Sequence, residues 1–266
     1  MIGFIGVGNM AGAIASGILK NNICTARELG LYDPVAEKAA RFAGARVYTS
    51  EAELVKGESI IFLAVKPNCF PDVLSSLEKN IGRDNFEGKT FVTIAAGIST
   101  EYIKRSLGKS ARVVRVMPNT PMLMGKGICA ISRADDVDKE VYEKIKRIFS
   151  CLGSVREYDE RQMNAIISLT SSSPAYAFLL AKAMAEGAAE QGFDADDSFL
   201  LAADVLEGAA AMIRGTGMQP QALIDMVTSK GGTTRAALDV FEARDFAQTV
   251  KDAMKACTKR ADELAQ

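Results

Sequence analysis

The sequence predicts an α/β domain with a mostly parallel sheet, followed by an all-α domain, on three observations. Residues 2–158 alternate short apolar runs with helical patterns. The chain opens on a glycine turn set between a strand pattern and a helix pattern. After Asp159, strand-like runs give way to long stretches rich in Ala, Leu, Met and Glu, which places the domain boundary between residues 159 and 160.

In the opening element, Ile2, Phe4, Ile5 and Val7 make a short buried strand. Gly6-Val7-Gly8-Asn9-Met10-Ala11 then has G-x-G-x-x-A spacing, and Met10, Ile14, Ile18 and Leu19 follow at helical spacing. Gly6 permits the tight turn, Gly8 lets backbone N–H groups approach a pyrophosphate, and Ala11 lets the helix lie close to the strand. The anion then rests on the positive end of the helix dipole. A glycine turn alone is a weak signal, but with a strand before it and a helix after it residues 1–159 read as a dinucleotide-binding domain.

The second strand is expected at Leu29–Tyr32 and ends in Asp33, 22 residues after Ala11 (33 − 11). A carboxylate there accepts hydrogen bonds from the adenosine ribose diol and repels a 2′-phosphate. No arginine adjoins Asp33 in the sequence, so NADH is expected to be used well; the alternative is a turn aspartate before Pro34. A helix over 35–42 and a strand over 45–48 follow.

Three further strands end in special residues on what should be one sheet edge, the carboxyl edge where ligands bind. Residues 59–65 stop at Lys66-Pro67, residues 91–96 stop at Gly97, and Arg112–Met117 stops at Pro118-Asn119-Thr120-Pro121. Lys66 is assigned to the cofactor site, against the alternative of a cap-like surface charge. Strands at Gly127–Ser132 and 154–158, with a helix over 137–149 between them, extend the edge of the sheet.

The second half predicts helices over 163–169, 174–191, 198–214, 220–227 and 235–264, the last broken near Asp245. Two non-helical islands interrupt them. Residues 170–176, with Thr170, three serines and Pro174, read equally as a helix cap. Residues 228–234 combine two glycines and two threonines before a helix, so their amides suit a carboxylate or phosphate, or the stretch is a linker. Leu179, Leu180, Leu200, Leu201, Val205, Leu206, Met212 and Ile213 offer more apolar helix surface than this half would bury alone, which predicts an obligate dimer.

Composition excludes several classes. A net charge of −1 and a pI near 5.8 offer no basic footprint for nucleic acid or an anionic membrane. No apolar run is long enough to cross a bilayer, and the first strand begins at Ile2, leaving no room for a leader. Five scattered cysteines without a C-x-x-C fit reduced thiols, so a cytoplasmic location is expected. Histidine is absent, which removes imidazole acid–base chemistry, His-based triads and the commonest metal ligand, and no metal is expected.

In order, FIGVGNMA, AVKP (Ala64, Val65, Lys66, Pro67), AAG (Ala95, Ala96, Gly97), RVMPNTP with Asn119, SSSPAY with Ser173, and SKGGTT (Ser229 to Thr234) span nearly the whole chain. Together they resemble the pyrroline-5-carboxylate reductase family. The resemblance implies a Rossmann-like domain and a helical dimerisation domain over 160–266, often assembled as a pentamer of dimers. It implies reduction of 1-pyrroline-5-carboxylate to L-proline with NADPH or NADH, the last step of proline synthesis. On this resemblance AVKP, AAG and Asn119 line the cofactor site with Gly6, Gly8, Asn9, Met10, Ala11 and Asp33. Ser173, Ser229, Gly231, Gly232, Thr233 and Thr234 hold the substrate, and the Thr234 hydroxyl is placed near the imine nitrogen as the catalytic candidate.

The chain departs from the family pattern at Lys230, where many relatives have proline, and at Met218-Gln219-Pro220, where relatives often have Glu-His-Pro. Two rivals remain. A 3-hydroxyacid dehydrogenase would need a lysine soon after a Gly/Ser-rich stretch, but the first one after Ser173 is Lys182. A silent nucleotide-sensing protein would have no need of both intact glycine loops.

Overall fold

The structure is a computed structural model that describes residues 1–264. Strands β1 (Ile2–Ile5), β2 (Leu29–Tyr32), β3 (Arg46–Val47), β4 (Ile60–Leu63), β5 (Thr90–Thr93), β6 (Arg112–Met117), β7 (Gly127–Ser132) and β8 (Gly153–Tyr158) form one sheet. Their order is β3-β2-β1-β4-β5-β6-β7-β8. Every pairing from β3 across to β6 is parallel, β7 runs antiparallel to β6, and β8 pairs parallel with β7. The carboxyl ends of β1, β2, β4, β5 and β6 therefore share one edge, as the strand-ending residues predict.

Expected strands 59–65 and 91–96 are cut short at Leu63 and Thr93, because the chain leaves the ladder to form the loops of that edge. Side chains alternate between two covered faces, as a buried parallel sheet requires. Phe4 and Phe62 stack at 4.5 Å on one face, joined by Ile14 and Ile18 of α1 (Asn9–Lys20). Ile5, Ile61 and Leu63 face the other way, against helices that the sequence reading left out: α3 (Glu51–Gly57), α4 (Phe70–Ile81) and α5 (Thr100–Leu107). Their signal was present, since α4 buries Phe70, Val73, Leu74 and Leu77 at helical spacing. The short α2 (Ala36–Ala40) and α6 (Lys139–Ser150) lie with α1 on the first face, where Ala39, Ile145, Ile148 and Phe149 join Phe4 and Phe62.

The remaining helices are α7 (Ser173–Ala189), α8 (Ala195–Thr216), α9 (Pro220–Met226), α10 (Thr233–Ala243) and α11 (Phe246–Leu264). Asp245, at φ 50°, separates α10 from α11 near the expected break. The chain divides into two compact units, Met1–Ser172 with the stretch from Cys257, and Ser173–Ala256. That division falls later than 159/160 because Met163, Ile166 and Ile167 are buried against Met117, Ala130 and Ala261. Residues 170–176 are not a non-helical island: Ile167–Ser171 forms a π-helical turn and α7 starts at Ser173. The hydroxyls permit this by bonding backbone, as Thr170 Oγ1 does to Ile166 O at 3.0 Å.

Within Ser173–Ala256, α7 and α8 pack through small residues, Ala181 and Ala185 against Ser198 and Ala202. Large apolar side chains point outward. Leu179 and Leu200 are 66% and 64% exposed, and Leu201, Val205, Met212 and Ile213 are exposed with them, while Leu180 and Leu206 are half-buried. Among the described residues, no helix is long and apolar enough to cross a membrane.

Candidate active site

Every cofactor-site candidate lies at the carboxyl edge of the sheet, in a loop or, for Asn9, Met10 and Ala11, in the first turn of α1. Gly6 has φ +90°, and a Cβ there would stand 2.8 Å from Ala64 O, so only glycine lets the loops after β1 and β4 meet. Gly8 is the N-cap of α1 and differs in kind: a Cβ there would meet nothing within 4 Å. The space over Gly8 is open. No side chain caps α1 and no acidic residue occupies its first turn, which leaves the amides of Asn9, Met10 and Ala11 to an outside acceptor. Ala11 is 1% exposed and seats the helix on the sheet. These features fit a pyrophosphate.

Asp33 is held at the same edge. Its Oδ2 accepts from Val7 N at 2.8 Å and its Oδ1 from Val35 N at 2.9 Å. The carboxylate therefore ties the end of β2 to the glycine turn. The fold also supplies the cations that chain adjacency withheld: Lys38 Nζ lies 3.4 Å from Asp33 Oδ1, and Arg41 Nη2 donates to Val7 O at 3.0 Å.

Ala64 and Val65 are half-buried, and Lys66 is exposed at the N-cap of the short turn Pro67–Cys69, where Lys66 O accepts from Cys69 N at 2.9 Å. Ala95 is buried, Ala96 half-buried, and Gly97 has φ +76°. A Cβ on Gly97 would come within 2.8–2.9 Å of Leu264, so its lack of a side chain serves the approach of α11. Asn119 is 4% exposed and both ends of its amide are engaged: Nδ2 donates to Thr170 O at 2.9 Å and Oδ1 accepts from Ile128 N at 2.8 Å. Ser171 Oγ also donates to Pro118 O, at 3.2 Å.

Residues 228–234 turn at Gly231, φ +71°, and Gly232 becomes the N-cap of α10. Gly232 N donates to Ser229 O at 3.0 Å, and the Ser229 hydroxyl fills the place a Cβ on Gly232 would take. As at α1, no side chain caps α10 and its first turn carries no acid. Thr233 and Thr234 are its exposed first residues, so Thr234 sits inside the helix rather than capping one that starts at Arg235. Arg235 is held by Asp239 and Glu242, at 2.7 and 2.6 Å. Ser173 is the first residue of α7.

The sequence reading gave no role to Arg115, although RVMPNTP contains it. Its side chain is 3% exposed and donates to Glu160 Oε1 at 3.4 Å and to Asn164 Oδ1. Glu160 Oε1 in turn accepts from Thr100 N at 3.2 Å, and Asn164 Nδ2 donates to Asp262 Oδ1 at 2.8 Å. Burial lowers the affinity of Arg115 for its proton and Glu160 opposes the shift. An arginine set between apolar residues, Val113 and Val114 before it and Val116 and Met117 after it, was the available signal.

Comparisons with known proteins agree with this fold. Residues 160–264 match the family described as Pyrroline-5-carboxylate reductase dimerisation, and residues 1–97 match NADP oxidoreductase coenzyme F420-dependent. The chain is 38% identical to pyrroline-5-carboxylate reductase of Haemophilus influenzae over 99% of this chain and 97% of that one. It is 34% identical to that of Escherichia coli over 100% and 98%. Among solved structures it is similar to pyrroline carboxylate reductase of Plasmodium falciparum with NADP bound, at TM-score 0.90 and 26% identity, covering 100% of this chain and 98% of that one. A pyrroline-5-carboxylate reductase from Coxiella burnetii gives TM-score 0.87 and 30% identity, again covering 100% and 98%. With helical segments, glycine loops and full-length likeness in agreement, the chain belongs to the pyrroline-5-carboxylate reductase family.

Proposed function

We propose that the chain reduces 1-pyrroline-5-carboxylate to L-proline with hydride from NADPH or NADH. One observation carries the reading: two helices, α1 and α10, start at a glycine with neither a side-chain cap nor an acid in the first turn. By contrast α3, α5, α6 and α8 start at Ser50, Ser99, Asp138 and Asp194, each accepting from a first-turn amide, with Glu or Asp in that turn. A helix that stabilises its own amides with a carboxylate repels an outside anion; one that leaves them bare accepts it. The reaction has two anions to hold, the dinucleotide pyrophosphate and the substrate carboxylate.

Residues 1–159 hold the dinucleotide through Gly6, Gly8, Asn9, Met10, Ala11 and Asp33, with residues 64–67 and 95–97 lining its site. Asn119, engaged at both ends, acts by fixing the loops around it. Residues 160–266 bind substrate and form the dimer. The amides of Thr233 and Thr234 take the carboxylate, that of Gly232 being given to Ser229 O; Ser173, Ser229, Gly231 and Gly232 shape the site, and the Thr234 hydroxyl bonds near the imine nitrogen. When bound, the reduced nicotinamide supplies the hydride that adds to carbon 5 of the protonated imine. The chain's own part is orientation, oriented dipoles and exclusion of water, which needs no histidine.

The exposed apolar faces of α7 and α8 support a homodimer, and the family resemblance implies that such dimers are often assembled further as a pentamer of dimers. The free cysteines, Cys24, Cys69, Cys129, Cys151 and Cys257, support a reducing, cytoplasmic setting. The test is a spectrophotometric assay of pyrroline-5-carboxylate with each reduced dinucleotide. Oxidation of NADPH or NADH that depends on the imine is expected, and its absence in dimeric protein would refute the reading.

A further inference from the structure

Asp33 alone would select against a phosphorylated ribose, but it does not act alone. Its side chain is only 6% exposed and is pinned by the N–H groups of Val7 and Val35. Lys38 faces it at 3.4 Å, with a side chain 45% exposed on the five-residue helix α2. Arg41, at the end of that helix, donates to the carbonyls of Val7 and Gly8 at 3.0 and 3.4 Å and lies over the Phe42 ring, 5.2 Å from its centroid. Arg41 also fills the place a Cβ on Gly12 would take, so it is fixed beside α1. Asp33, Lys38 and Arg41 thus meet where the glycine turn meets the end of β2, with Glu51 bonded to the neighbouring Tyr32.

Of these three groups only Lys38 is free to swing. Asp33 is locked by backbone donors and Arg41 by backbone acceptors, whereas a lysine is a point charge on a flexible stem. Taking the dinucleotide reading above as its basis, we infer that Lys38 is the specificity residue of a dual-cofactor site, receiving the 2′-phosphate of NADPH while Arg41 adds a fixed positive charge. With NADH, Lys38 stays on Asp33, and the remaining lone pairs of that carboxylate accept from the ribose diol. Asp33 therefore does not by itself exclude NADPH.

Equilibrium titration of NADPH and NADH, read by calorimetry without substrate, tests the assignment on the wild type, Lys38→Met, Lys38→Glu and Lys38→Arg. The NADPH Kd is expected to rise about tenfold in Lys38→Met and about a hundredfold in Lys38→Glu, and to return to near wild type in Lys38→Arg. NADH binding should move less than about threefold, which also reports that the variants are folded. Wild-type NADPH binding should weaken with added salt more steeply than that of Lys38→Met. An unchanged ratio of the two Kd values in both Lys38→Met and Lys38→Glu would overturn the inference while leaving the enzyme reading intact. Failure of the wild type to bind either dinucleotide would overturn the reading beneath it.

Discussion

The two bare helix starts, at Gly8 and at Gly232, are built alike and supported differently. Gly8 follows a strand of a buried sheet, and its helix buries Ala11, Ile14, Ala15 and Ile18 against that sheet. Gly232 follows α9, and α10 buries none of its residues, with Val240 61% and Phe241 45% exposed. The first start is backed by its own chain, which packs beneath it. The other lies in a unit whose large apolar side chains are exposed. The difference teaches that a shared local motif need not share its source of support.

The largest effect should come from removing that second copy. Leu200→Glu with Leu201→Glu places two charges on the exposed face of α8, at about 2–4 kcal/mol each against association. Sedimentation should then show monomer and turnover should be lost, while calorimetry shows dinucleotide binding within about threefold of wild type. A dimer of normal strength would break the comparison.

Gly8→Asp should give the opposite pattern. The new carboxylate caps α1, keeping or raising stability by up to about 1 kcal/mol, yet it occupies and repels at the anion site. The dinucleotide Kd should rise about a hundredfold, roughly 2.7 kcal/mol, with the dimer intact by sedimentation. Unchanged binding would mean that the amides of α1 face something other than the pyrophosphate.

Thr234→Val sharpens the second site. It keeps the β-branch and removes the hydroxyl, so a loss of about 1–3 kcal/mol in transition-state stabilisation is expected, ten- to two-hundredfold in kcat/KM. Because Gly232 holds the N-cap, melting should shift by no more than about 0.5 kcal/mol. A destabilised variant with wild-type kcat/KM would remove Thr234 from the substrate site.

The smallest effect should appear at Glu58, just before β4 and so at the amino edge of the sheet, opposite the glycine turn after β1. Its side chain is fully buried, with Oε1 accepting from Arg46 Nη2 at 2.7 Å and Tyr48 Oη at 2.9 Å. Burial pushes its carboxyl above the usual range, although Tyr48 and Arg46 oppose the shift. The folded state then binds this proton more tightly than the unfolded chain does. The group's stabilising share is full below the unfolded value, about 4.3, and is lost as pH rises through the higher folded value. Wild type should therefore gain thermal stability relative to Glu58→Gln as pH falls from neutral toward about 4, with both binding sites unaltered. A difference in melting temperature that does not change with pH would remove the titration from the account.

Much of this was legible in the sequence because it depends on local chemistry. β2, β6 and β7 start and stop at the residues expected, and the break near Asp245 was visible as a lapse in helical pattern. Helices α3, α4 and α5 were given no ranges, although the alternation of apolar runs with helical patterns was noted. The Thr170 island was misjudged because hydroxyls that favour caps also bond helical carbonyls, and burial beside Asn119 decided between the two.

By itself the sequence determined the period of each element, the two glycine turns, the absence of imidazole chemistry and the apolar excess of the second half. Each of these follows from residue type and spacing along a few turns of chain. Tertiary structure alone decided that Lys38 stands on Asp33, that Arg115 joins Glu160 and Asn164, and that Gly97 makes room for Leu264. Those pairings join residues from 5 to 167 positions apart (38 − 33 and 264 − 97). Spacing along the chain gives no rule for contacts of that kind, because they are set by which elements the packed core brings to the same edge.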